Sequence, residues 1–241
     1  MNRFSKRAVL AVFAVSAALF LLPQTRYPSA LPADSAQDAV EPKYIAITFD
    51  DGPKRTTTGR LLDGLRRRGV PATFFLVGEL VPGNEDLVRR MELDGHEIGI
   101  HSYTHGRLTA LNDADFSAEV DRAGVVLRNI IGQETYLLRP PYGDVDPGVL
   151  RRAPGAIILW SIDPRDWSDR NIGRQVTEIL SQAKDGDIIL LHDIYESSVE
   201  TAFQVIDSLR QQGFYFLTVS ELFAAKGIPL EQGQIYRRAG G

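Results

Sequence analysis

The chain has no cysteine among its 241 residues. That removes disulfides, thiolate metal ligands and cysteine nucleophiles together. It leaves the compartment open, because a chain of this length buries a core that needs no cross-links. A basic excess is also missing. The formal net charge is −4, and Arg3, Lys6 and Arg7 stand in residues 1–22 without an acid, which leaves the rest of the chain at −7. A body this acidic lacks the electrostatic footprint of a nucleic-acid binder, so a neutral or cationic partner is expected and nucleic acid is not. Histidine and tryptophan are scarce, at four and two copies, so their positions are informative.

What is present divides into three stretches. A basic start is followed by an uncharged apolar run from Ala8 to Leu22. That pattern is an export signal or an N-terminal membrane anchor, which places the protein in the periplasm, cell envelope or outside the cell. As a helix the run spans about 22 Å, short of the roughly 30 Å hydrocarbon core, which leans towards a cleaved signal. No Ala-x-Ala site follows it, and an uncleaved anchor would be the chain's contact with a membrane. Residues 23–42 hold Pro23, Pro28, Pro32 and Pro42 among Ser, Ala and Asp, the composition of a linker.

From Lys43 short apolar runs alternate with helical periodicity. Strands are expected at Tyr44–Phe49, Ala72–Leu76, Glu97–Ile100, Tyr136–Arg139, Ala156–Trp160, Ile188–Leu191 and Phe214–Leu217. Helices are expected near Gly59–Arg68, Asn84–Asp94, Asp113–Ile131, Asn171–Ala183 and Glu200–Gln212. In the third of these, Phe116, Val120, Ala123, Leu127 and Ile130 recur at spacings of three and four. Strands separated by helices imply βαβ units and a mainly parallel sheet, and seven of them suggest a closed or nearly closed α/β barrel in a single domain. Residues 228–241 are read as a tail.

Parallel α/β architectures gather ligands at the carboxyl ends of their strands, and five unusual clusters fall there. The first is Thr48-Phe49-Asp50-Asp51-Gly52-Pro53, where two adjacent carboxylates call for cationic partners. Asp-Gly is also common in ordinary turns. The second is His101-Ser102-Tyr103-Thr104-His105, two imidazoles spaced to approach one metal ion. Two histidines and one carboxylate make a three-ligand site with an open position for a reactive water; zinc is the default, while iron or cobalt also suits such donors. His96, in the turn before the strand, is read as structural.

The third cluster is Arg139-Pro140-Pro141-Tyr142-Gly143, in which two prolines stiffen the backbone after an arginine. A rigidly held N–H beyond them could stabilise an oxyanion, although an ordinary rigid loop has the same composition. The fourth, Trp160 to Trp167, contains both tryptophans. An aromatic face at Trp167 suits a carbohydrate groove, or a core. The fifth is Leu190-Leu191-His192-Asp193, an apolar strand ending on a histidine that could serve as a general acid or bond a backbone carbonyl.

Together these motifs resemble the polysaccharide deacetylase family, the NodB-homology or carbohydrate esterase family 4 domain, over Lys43 to Gly227. In this chain they read TFDDGP, HSYTH, RPPYG, the Asp163–Trp167 segment and LLH. The resemblance implies a distorted (β/α)7 barrel that removes N-acetyl groups from GlcNAc-type sugars of a chitin-like, peptidoglycan or exopolysaccharide chain. It implies one divalent metal on Asp51, His101 and His105, with Asp50 as general base held by Arg139. It further implies the Tyr142 N–H in an oxyanion hole and His192 as acid, oriented by Asp166. Trp167 would line the groove and Leu190 the pocket for the acetyl methyl. A monomer is expected. An O-acetyl esterase on the same scaffold, or a carbohydrate-binding protein with a decayed site, are the alternatives.

Overall fold

A computed structural model describes residues 41–134 and 136–240. The export signal and most of the linker expected before Lys43 lie outside the described residues.

The first strand, β1 (Lys43–Asp50), is buried from Ile45 onward on both faces, as a central strand of a parallel sheet must be. It leads through a turn into α1 (Arg55–Arg68), which buries Leu61, Leu62 and Leu65 and stops where Gly69 takes a left-handed conformation, φ 61°. Next come β2 (Thr73–Leu76), α2 (Glu85–Leu93) and β3 (Glu97–Ile100). Helix α3 (Asp113–Ile131) begins at Asn112, whose side chain accepts the Asp115 N–H, and turns Phe116, Val120, Ala123 and Leu127 to the core. The second half contains α4 (Pro147–Arg152), β4 (Ile157–Ile158), α5 (Ile172–Gln182), β5 (Ile188–His192) and α6 (Glu196–Gln211). It ends with β6 (Phe214–Phe216), α7 (Val219–Ala225) and β7 (Ile235–Tyr236).

All strand ladders are parallel. The main sheet runs β3-β2-β1-β5, with β6 pairing the first residues of β1, Lys43 to Ile45. A smaller sheet joins β4 to β7. Single-residue bridges continue the ring: Leu138 pairs with Ile100 and with Ile157, and Ile162 pairs with Ile189 on β5. The result is a distorted α/β barrel in which one wall is ladder and the other is mostly bridge.

The expected strand at Tyr136–Arg139 is therefore reduced to the bridge at Leu138. Pro140 and Pro141 follow and offer no N–H to extend a ladder. The strand expected over Ala156–Trp160 keeps two residues. The stretch read as a tail instead carries β7, and the carbonyls of Tyr236 within it and Gln234 just before it accept the N–H groups of Leu159 and Ile157. Two short helices, α4 and α7, add to the five expected. Among the described residues no helix is long and apolar enough to cross a membrane.

Candidate active site

The carboxyl ends of β1, β3 and β5 meet at one rim and enclose a cleft of about 480 Å³. Asp50, Asp51, His101, His105, Tyr142, Trp167, Leu190 and His192 line it. Arg139 and Asp166 stand behind it, Arg139 against Asp50 and His101 and Asp166 against His192. Every residue singled out in the sequence as a site candidate is thus brought to one place.

The two adjacent aspartates separate at the end of the strand. Asp50 is the last residue of β1 and is buried, while Asp51 takes a left-handed conformation, φ 72°, beyond it. That reversal swings the Asp51 carboxylate towards the histidines. Its Oδ1 lies 3.4 Å from Nε2 of His101 and 3.2 Å from Nε2 of His105. His101 Nδ1 is 2.7 Å from the Arg139 carbonyl oxygen. A carbonyl can only accept, so Nδ1 carries a proton and Nε2 is the nitrogen turned to Asp51.

These atoms fit a metal. The three ligand atoms lie within 4.8 Å of one another, and Asp51 Oδ1 is buried without a hydrogen-bond partner of proper geometry. A buried carboxylate oxygen facing two imidazole nitrogens is what a divalent cation would satisfy. Burial would raise the Asp51 carboxyl, but His101 and His105 outweigh it and hold the group well below the usual carboxylate range. His105, half-buried, is raised in turn by Asp51.

On one side of this triad lies the Asp50–Arg139 pair. Arg139 is 0% exposed, yet every part of its fork is engaged. Nη1 donates to Asp50 Oδ1 and to the Thr48 hydroxyl, each at 2.7 Å. Nε and Nη2 donate to the carbonyls of Ile158 and Leu159 at 3.0 and 3.1 Å. The ring of Phe75 covers the guanidinium at 4.1 Å. Asp50 is thereby fixed in place with its second oxygen, Oδ2, left on the cleft side, 3.7 Å from His101 Nε2.

On the other side lies His192, the last residue of β5. Its Nδ1 is 2.7 Å from Asp166 Oδ1, and Asp166 Oδ2 accepts the His192 backbone N–H at 2.8 Å and the Ser198 hydroxyl at 2.5 Å. Burial alone would lower the imidazole. Asp166, with Asp50 and Asp51 beyond, overrides it and raises His192 to about 9, so the ring is protonated at neutral pH.

The open side of the cleft is aromatic. Tyr142 and Trp167 are 57% and 52% exposed, unusual for such rings and suited to stacking on a sugar face. Tyr142 has φ 64°, so the two prolines before it lead into a sharp left-handed turn that places its backbone beside the cleft. Leu190 forms the floor.

Four contributors escaped the sequence reading. Trp160 and Tyr195 also line the cleft, Ser198 completes the Asp166 shell, and Asp193 is buried against the β1–α1 turn. Its Oδ2 accepts the Thr58 hydroxyl, its backbone N–H donates to the Asp50 carbonyl at 3.3 Å, and a Cβ at Gly52 would lie 2.5 Å from its oxygens. Burial pushes Asp193 up to about 7. For Trp160 and Asp193 a signal existed, since each stands in one of the five clusters; for Tyr195 and Ser198 there was none.

Comparison with known proteins agrees with this geometry. Residues 37–154 match the family model described as polysaccharide deacetylase. A peptidoglycan-N-acetylglucosamine deacetylase of Bacillus cereus is 40% identical over 193 residues, covering 76% of this chain and 90% of that one. The chain belongs to the polysaccharide deacetylase family. Another family member, the peptidoglycan-N-acetylmuramic acid deacetylase PdaC of Bacillus subtilis, is 38% identical over 79% of this chain, which spans 41% of that relative's length. Among solved structures, a family 4 acetyl xylan esterase from Clostridium thermocellum in complex with a cobalt ion is 29% identical. It superposes with a TM-score of 0.78 over 83% of this chain and all of that one.

Proposed function

We propose that the protein is a metal-dependent hydrolase that removes N-acetyl groups from the sugars of a polysaccharide outside the cytoplasm. The observation that carries this reading is a three-donor metal triad flanked by a carboxylate held by a buried arginine and an imidazole held by a buried carboxylate, all in one cleft. The names of the peptidoglycan deacetylases at 38–40% identity support the amide class and peptidoglycan-type chains as the first substrates to try.

Asp51, His101 and His105 would hold the metal, zinc by default. When bound, such an ion polarises the acetyl carbonyl and acidifies a water. Asp50, held in place by Arg139, takes a proton from the attacking water as its oxygen bonds to the acetyl carbon. The Tyr142 backbone N–H faces the oxygen on which negative charge develops. His192 gives its Nε2 proton to the sugar nitrogen as the C–N bond breaks, so that acetate and a free amine leave. An amide needs this donor because its nitrogen is a poor leaving group. Trp167 offers its face to the sugar ring, and Leu190 bounds a small apolar space for the methyl.

An O-acetyl esterase is the second reading, supported by the fold shared with the acetyl xylan esterase. Acetate release across matched N- and O-acetylated glycans separates the two. Chelation should abolish release and zinc or cobalt should restore it; turnover unchanged in protein shown by elemental analysis to be metal-free sinks the mechanism. Asp50→Asn should retain the metal while kcat falls about 10²–10⁴-fold. Loss of metal from that variant would reverse the roles of the two aspartates. Export through residues 1–22 is part of the proposal, and a reporter fusion active only outside the cytoplasm checks it.

A further inference from the structure

The two histidines of the triad are delivered in different ways. His101 follows β3 directly and is tied to the barrel twice. Its backbone N–H donates to the Leu76 carbonyl at 2.9 Å, and its Nδ1 lies 2.7 Å from the Arg139 carbonyl oxygen. His105 stands beyond it at the far end of a loop. Among the described residues no hydrogen bond holds its backbone or its Nδ1, and its ring meets Asp51 and the rings of His101 and Tyr142. The path of the loop therefore decides where this ring arrives.

That path is strained. Ser102 and His105 both take left-handed conformations, φ 60° and 61°, which residues other than glycine rarely adopt. Two sets of hydrogen bonds hold the backbone between them. On one side the carbonyls of Ser102 and Tyr103 accept the N–H groups of Gly78 and Glu79, at 3.0 and 2.9 Å, from the turn after β2. On the other side stands Glu119, on α3. Its Oε2 accepts the Tyr103 and Thr104 N–H groups at 3.0 and 2.9 Å, and its Oε1 accepts the Thr104 hydroxyl at 2.7 Å. On the same helix, the Arg122 guanidinium covers the Tyr103 ring at 3.7 Å. The loop is thus clamped through its carbonyls by the β2 turn and through its N–H groups by one carboxylate. Glu119 stands outside the cleft lining, so whatever it does for the site passes through the loop.

We propose that Glu119 is a positioning residue for the metal site: by holding Tyr103 and Thr104 it sets the loop so that His105 arrives opposite Asp51. This rests on the metal-dependent reading of the triad and goes beyond it, by giving the placement of one ligand to a side chain on another element. His101, anchored by the barrel itself, does not depend on Glu119.

The test compares wild type, Glu119→Ala and Glu119→Gln in the full chain, stripped of metal and titrated with zinc. Alanine leaves both N–H groups without their acceptor, and zinc affinity should fall roughly 10–100-fold, the usual cost of losing a residue that orients a ligand. Glutamine should keep most of the affinity, because its amide oxygen can accept both N–H groups while its nitrogen donates to the Thr104 hydroxyl. A Glu119→Gln variant as weak as Glu119→Ala would overturn the positioning role, since charge alone would then account for the loss. In a His105→Ala background, Glu119→Ala should move the zinc Kd by no more than about twofold, the scatter of independent changes. A full further loss there would make Glu119 a support of the fold at large and overturn the assignment. Hydrogen exchange in the metal-free proteins is the second measurement. The Tyr103 and Thr104 amides should be protected in the wild type and open in Glu119→Ala, with the amides of β1 and β5 unchanged; equal exchange in both proteins overturns the inference. Zinc binding that needs His105 but ignores Glu119→Ala overturns the inference alone, whereas a wild type that binds no zinc removes the metal reading and the inference with it.

Discussion

Two histidines are buried in this fold to nearly the same degree, and their environments drive them in opposite directions. His96 precedes β3 at the far end of the barrel, edge-on to Phe74, and its Nδ1 accepts the Ala72 backbone N–H at 3.1 Å. Asp94 nearby offsets only part of the burial, which pushes the ring down to about 4. His192 ends β5 at the cleft, and the atom on its Nδ1 is the Asp166 carboxylate. The same burial is overridden, and the ring rises to about 9. The partner on Nδ1, far more than depth, decides whether a histidine becomes a neutral spacer or a proton donor.

The largest expected break in the comparison comes from removing each ring. His192→Ala should slow hydrolysis of an N-acetyl glycan by about 10²–10⁴-fold, the usual range for a general acid, and slow an aryl acetate far less because its leaving group hardly needs a proton. His96→Gln should leave both rates as they were, since its amide oxygen can still accept the Ala72 N–H. Kinetics on the two substrate types decide the matter, and equal slowing of both by His192→Ala would remove it as acid.

The second effect is on stability, and the two histidines act in opposite pH windows. His96 is depressed from 6.5 to about 4 in the folded protein, so its contribution is complete above 6.5 and disappears as pH falls towards 4. The full depression corresponds to about 3 kcal/mol. Urea unfolding at stepped pH should show that His96→Gln loses less stability over this interval than the wild type. His192 is raised, so its contribution is present below 6.5 and fades as pH climbs towards 9. A cation beside Asp51 takes away part of that pull, which makes the alkaline effect the smaller.

The finest test converts one histidine into the other. Asp166→Asn removes the first of the causes that raise His192 and leaves the burial that lowers it. The falling limb of the kcat–pH profile, expected near 9 from the raised His192, should move to lower pH, with a loss of about tenfold at neutrality. A limb that stays in place would detach it from His192.

The sequence made His192 and His96 distinguishable for a limited reason. An apolar strand ending on histidine marks a rim, and a histidine in a turn before a strand marks the opposite end. Periodicity carried the rest of the main frame: α3 spans Asp113–Ile131 as its apolar spacing predicts. Its failures were local. Helix α1 starts at Arg55, ahead of the expected Gly59, with Thr57 and Thr58 buried in its first turn. Strand β7 has two residues and no period to detect. The left-handed turn at Asp51 that separates the paired aspartates is a backbone property no composition announces. Ser198 and Asp193 act across more than thirty and one hundred positions of chain respectively, on Asp166 and Thr58, and such reach is set by the fold alone.

The small β4–β7 sheet has a consequence for handling the protein. Ile158 and Leu159 hold Arg139 through their carbonyls, and Arg139 holds the base, while the N–H groups of Ile157 and Leu159 hang on residues 234 and 236. A protease nick in the segment between α7 and β7, or a tag that tugs on the last residues, would loosen that lattice from behind. The damage would register as sluggish hydrolysis in a protein that still carries its metal and still melts cooperatively, a defect that a purity gel or a thermal scan would pass unnoticed.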